Sequence, residues 1–173
     1  KNMQRYADIA DFFNTKADKD CVVLVNKNEE MWPNFIPAFT HCNLYVSGEV
    51  YLIAPKDRFY HNYLTFLRIR GITAEDVDAY LEKNRSEAAG FLFYQSQYAL
   101  GFPDPEFEAL FKRLPEDYKE FMKQDFRGEL ERYKIDYILS VGPLDKEVVR
   151  SLPNLNKVFE KDDISIYLYN NKL

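Results

Sequence analysis

The chain has 173 residues, 46% of them hydrophobic and 29% charged, with a net charge of −5. That length suits one domain, and the composition supports a packed core and excludes disorder. With 6 Gly, 2 His and 2 Cys, it excludes a disulfide-stapled mini-domain, a Cys/His zinc module and a glycine-rich phosphate loop. The acidic balance argues against nucleic acid, and no apolar run is long enough to span a bilayer. Aromatics stand out, with 28 Phe, Tyr and Trp in all. Lys1 in place of an initiator Met reads as an excised or processed start, and the polar stretch 170–173 as an end just after a strand.

Met3, Tyr6, Ile9, Ala10 and Phe13 recur at helical spacing, so 3–15 reads as an amphipathic helix. The β-branched run 21–25 (CVVLV) reads as a strand buried on both faces. A helical segment at 32–39 is kept short by its two prolines. Residues 44–46 form a second strand, and together these pieces make a compact, right-handed parallel βαβ unit. Residues 50–53 fit either a further strand or the lead into a helix.

From Asp57 to Tyr133 the pattern is helical almost throughout. Gly71 reads as a C-terminal cap, the stretch 73–76 as a capped helix start, and Phe91, Tyr94, Gln95 and Tyr98 as one face of a helix ending near Gly101. Asp104 and Pro105 form an N-cap and first helical position, and Pro115 is expected to break or restart the helix that follows. This block holds 16 of the 28 aromatics, and its acidic residues outnumber its basic ones by 4. After it come a strand at 135–141, a short helix at 145–152 and a hairpin of strands at 157–159 and 164–169. Ile164, Ile166 and Leu168 alternate with Ser165, Tyr167 and Tyr169, as one-sided burial requires.

The expected fold is therefore α/β: a Rossmann-like sheet of about three parallel strands plus a C-terminal antiparallel hairpin. A large helical insertion, 57–133, lies between strands two and three of a single domain covering 1–173.

Several of these segments also carry a resemblance. They are the first helix and polar turn, the strand 22–25 (VVLV), the crossover 35–40 (FIPAFT), 43–46 (NLYV), 135–139 (IDYIL), 141–143 (VGP), 152–155 (LPNL), 157–160 (KVFE) and 164–167 (ISIY). The pattern resembles the soluble C-terminal extracytoplasmic domains of multi-pass, glycosyltransferase-C-like microbial membrane proteins. It covers about 1–48 and 134–173 and leaves the helical block outside. The resemblance implies a helix leading from the membrane into a Rossmann-like sheet. It places the catalytic carboxylates in the membrane region, so no catalytic residue carries over to this chain. The implied role is acceptor or carrier engagement, or protein contact, alongside the membrane-embedded part of the same polypeptide. A glycan or lipid-linked sugar is the implied ligand, and the implied location is the extracytoplasmic face. The alternatives are a free-standing small-molecule-binding or enzymatic α/β domain, and a cytoplasmic interaction module. No cofactor, metal or nucleic acid is expected.

Candidate sites follow from the topology. Ligands of parallel sheets sit at the C-terminal strand ends, which offers Asn26, Asn28, Glu29, Ser47 and Glu49 as polar contacts; the same residues also suit turns and caps. Lys56, Arg58, Arg68 and Arg70 make the one basic cluster. Interleaved with Tyr60, Tyr63 and Phe66, it fits either an anionic lipid surface or an ordinary charged helix face. His61 with Arg58 and Asp57 fits an anion contact or a solvated first turn. Cys21 and Cys42 each open a strand; if those strands are adjacent and parallel, their Cα atoms approach disulfide range. A disulfide and two reduced thiols both remain open, and the resemblance implies a compartment that permits the bond. A nucleophilic role for Cys42 beside His41 is disfavoured, because strand neighbours face opposite ways.

Overall fold

The computed structural model describes residues 2–27, 32–46, 55–92 and 104–169. The chain is α/β, with a mixed five-stranded sheet in the order β2-β1-β3-β5-β4. Helix α1 (Asn2–Lys16) leads into β1 (Val22–Val25), and α2 (Trp32–Phe39) crosses to β2 (Asn43–Leu44). Helices α3 (Lys56–Ile69), α4 (Val77–Lys83), α5 (Arg85–Phe91), α6 (Pro105–Met122) and α7 (Phe126–Leu130) follow. Then come β3 (Tyr137–Val141), α8 (Lys146–Ser151), β4 (Leu155–Lys161) and β5 (Ile164–Tyr169). Strand β1 pairs in parallel with β2 on one side and β3 on the other. Strand β5 runs antiparallel to both β3 and β4.

Two apolar layers cover the two faces of this sheet. On one, Ile9 and Phe13 of α1 and Phe35 and Ile36 of α2 bury Val23, Leu139, Ile164 and Ile166. On the other, Leu24 and Ile138 meet the helical block through Leu67, Leu114, Tyr118, Phe126 and Leu130. Successive residues of a strand point to opposite faces, so the run VVLV can serve both layers only by being apolar throughout.

Among the described residues, most aromatics of the helical block belong to its own core. Tyr63, Phe66, Phe107, Phe121 and Phe126 are buried, and Tyr118 is fully buried with its hydroxyl donating to the Ile72 carbonyl at 2.6 Å.

Local chemistry sets the helix ends. At the end of α3, Gly71 has φ +77°, and the amides of Gly71 and Ile72 donate to the carbonyls of Arg68 and Leu67 at 3.0 and 3.2 Å. That pair of bonds is a Schellman motif. Thr73 Oγ accepts from the Asp76 amide at 3.2 Å just before α4, and Asp104 Oδ1 accepts from Glu106 and Phe107 at the start of α6.

Three expectations are revised. Pro115 does not end its helix: α6 runs through it. Phe111, Leu114, Tyr118 and Phe121 bury one continuous face, and that burial outweighs one missing backbone bond. Strand β5 is buried on both faces rather than one, because Ile164 and Ile166 enter the layer under α1 and α2 while Tyr169 turns to the helical block. Strand β2 is only two residues long. The helix face expected from Phe91, Tyr94, Gln95 and Tyr98 falls, beyond Phe91, outside the described residues, as does the stretch 50–53.

Candidate functional site

The two ends of the parallel strands differ in what they hold. At the C-terminal end, Asn26 is buried and both ends of its amide are bonded within the sheet. Its Nδ2 donates to Ser140 Oγ at 2.8 Å, and its Oδ1 accepts from the Val141 amide at 2.8 Å. Ser140 Oγ in turn donates to the Gly142 carbonyl at 2.7 Å. These bonds stitch the end of β1 to the end of β3 and turn the buried Asn26 amide into the sheet. Asn28, Glu29, Ser47 and Glu49 lie outside the described residues.

The four basic residues on α3 and its C-cap are not brought together. Lys56 and Arg58 occupy the first turn, while Arg68 and Arg70 lie at the last, roughly 20 Å away along the axis. Lys56 pairs with Glu106 at 2.5 Å. Arg58 lies over the Tyr133 ring, 4.7 Å from its centroid. Arg68 donates to the carbonyls of Phe121 and Gln124 and covers Phe126. Arg70 pairs with Glu87 at 2.7 Å and stacks near Phe66 and Tyr80. All four are therefore engaged by the chain's own carboxylates, carbonyls and rings.

His61 is buried rather than part of a solvated first turn. Its Nε2 lies 3.0 Å from Glu129 Oε2, and its Nδ1 is buried without a hydrogen-bond partner. Burial lowers its pKa, and the Glu129 hydrogen bond works the other way. Glu129 also pairs with Arg132 at 3.2 Å, and Tyr133 meets the imidazole edge-on. His61 and Glu129 are 68 residues apart, so no local pattern announces the pair.

The N-terminal strand ends carry the cluster with chemistry. Cys21 and Cys42 are joined by a disulfide with a Cα–Cα distance of 4.5 Å. The parallel register Val22↔Asn43 places the two residues side by side. Both are buried, at 1% and 2% exposure. Asp136 Oδ2 accepts from the Val22 amide at 2.8 Å and holds the beginning of β1 against β3.

His41 stands beside this bond. One ring nitrogen and the two Sγ atoms all lie within 4.8 Å of one another. The strand-alternation argument against His41 fails because His41 precedes β2 and sits in the bend after α2. Helix α1 fixes that bend. Asn14 Nδ2 donates to the Phe39 carbonyl at 2.9 Å, and Asn14 Oδ1 accepts from the His41 amide at 3.3 Å. The His41 Nε2 lies 3.2 Å from the Ala17 carbonyl. Thr40 Oγ donates to the Ile36 carbonyl and accepts from the Cys42 amide.

No family model, curated protein or solved structure matches the chain. Among the described residues, no helix is long and apolar enough to cross a membrane.

Proposed function

We propose that the chain is the non-catalytic, extracytoplasmic domain of a glycosyltransferase-C-like membrane protein, and that it engages an acceptor or lipid-linked carrier, or another protein, beside the membrane-embedded part. The Cys21–Cys42 disulfide carries this reading. Disulfides persist in oxidising compartments and are rare where glutathione and thioredoxin keep thiols reduced. The Rossmann-like arrangement, with 57–133 as an insertion in a single domain, belongs to the same proposal; the parallel strands β2-β1-β3 and the helices between β2 and β3 support it. The engagement of Asn26 within the sheet weakens the alternative of a ligand at the C-terminal strand ends.

The full reading frame tests the membrane part directly. A multi-pass membrane region encoded upstream of Lys1 supports the proposal, and a frame without any membrane span sinks it. A second arm titrates the purified domain with a polyprenyl-phosphate-linked sugar in detergent. Saturable binding, weakened by changes in the helical block, supports carrier engagement. Absence of binding removes the carrier and leaves protein contact as the role.

A further inference from the structure

We propose that Cys21, Cys42 and His41 form a metal site in the reduced chain, so that the disulfide and a bound zinc-class ion are alternative states of one cluster. The inference concerns the chemistry of the cluster and stands apart from the compartment in which the domain works.

Three observations converge on it. The two sulfurs and one imidazole nitrogen are already gathered within 4.8 Å of one another. A tetrahedral zinc ion holds two thiolates roughly 3.7 Å apart, a separation that side-chain rotation reaches from neighbouring strands. The Cα atoms, at 4.5 Å, need not separate.

The second observation is the hydrogen bond at His41. The Ala17 carbonyl can only accept, so the Nε2 beside it at 3.2 Å carries the proton. In the neutral ring Nδ1 then keeps the lone pair. A metal-ligating histidine is typically fixed this way, by donating its other N–H to a backbone carbonyl.

The third is rigidity. Asn14 ties the 39–41 bend to α1 at two points, and Thr40 holds the Cys42 amide. The ligand-bearing loop is therefore preorganised whether or not the sulfurs are bonded.

A dithiol reductant breaks the Sγ–Sγ bond and closes to its own disulfide, and its two protons and two electrons leave Cys21 and Cys42 as thiols. A divalent ion then displaces those two protons and is held by two thiolates and one imidazole. Water or an added anion takes the fourth tetrahedral position, on the side of half-buried His41. Two thiolates select zinc and its neighbours over magnesium or calcium, which require oxygen ligands.

The test uses the purified chain, reduced with a phosphine and desalted under nitrogen, then titrated with Co²⁺ as the optical probe. The expected result is one Co²⁺ per chain, with a thiolate-to-cobalt charge-transfer band and tetrahedral d–d bands, all bleached by Zn²⁺. The oxidised chain should give no such bands. Losing one ligand should weaken binding at least as much as losing an outer-shell partner, so His41→Ala is expected to bind at least about tenfold more weakly. His41→Gln guards against a merely structural effect, since its amide can still donate to Ala17. Bound Zn²⁺ should also protect both thiols from re-forming the disulfide under a mild oxidant. Absence of the charge-transfer band in the reduced wild type, or unchanged affinity in His41→Gln, overturns the proposal.

Discussion

Asn26 devotes both ends of its side-chain amide to β3, so its role is structural and its removal has a defined consequence. Asn26→Ala leaves the buried Val141 amide without an acceptor, and a stability loss of about 1–3 kcal/mol is expected in urea unfolding. Gly71 is equally constrained. At φ +77° an added Cβ would lie 2.9 Å from the Asp145 Cβ, so Gly71→Ala should cost about 1–3 kcal/mol. His61 makes stability depend on pH. Burial holds its folded pKa below the usual 6.5, so between those two values the unfolded chain binds the proton and the folded chain does not. Stability should therefore fall as the pH drops below 6.5, and should level off once the folded imidazole also protonates. Urea unfolding at a series of pH values checks this, and His61→Phe should flatten that part of the profile. Glu129, Arg132 and Tyr133 surround the group, so the comparison needs constant ionic strength.

Single elements test how burial overrides local preference. Helix α6 carries Pro115 in its interior, where proline lacks a hydrogen-bond donor. Pro115→Ala restores that donor and should raise stability by about 1–2 kcal/mol, after allowance for the freer unfolded chain. A loss would mean that the ring contributes packing that the helix needs. The proline expectation failed because the periodic face of Phe111, Leu114, Tyr118 and Phe121 was the stronger signal. The same periodicity made α1, α2 and the caps at Gly71 and Asp104 legible from residues alone. Long-range polar pairs were not legible: His61 with Glu129, and Asp136 with Val22, have no local pattern. The nearness of His41 to Cys42 escapes strand alternation because His41 lies just before the strand, while the Cys21–Cys42 bond leaves Cys42 no free thiol.

At the scale of the whole molecule, β2 is a two-residue edge strand whose beginning is anchored by the Cys21–Cys42 bond. The bond closes a loop of 21 residues, and a link of that span stabilises by about 3 kcal/mol. Reduction, or Cys21→Ser with Cys42→Ser, should then lower the melting temperature by roughly 6–12 °C. Two-sided burial is readable from the unbroken apolar run of β1, whereas Ser140 interrupts the run of β3 and the alternation of β5 mimics a half-exposed strand. The most direct test of the extracytoplasmic account is the redox state of this pair in the native host. Cells are quenched with a thiol-blocking reagent without prior reduction, and the protein is unfolded and digested for mass spectrometry. The account predicts a linked peptide pair containing Cys21 and Cys42, with neither residue blocked. Quantitative blocking of both cysteines would contradict it.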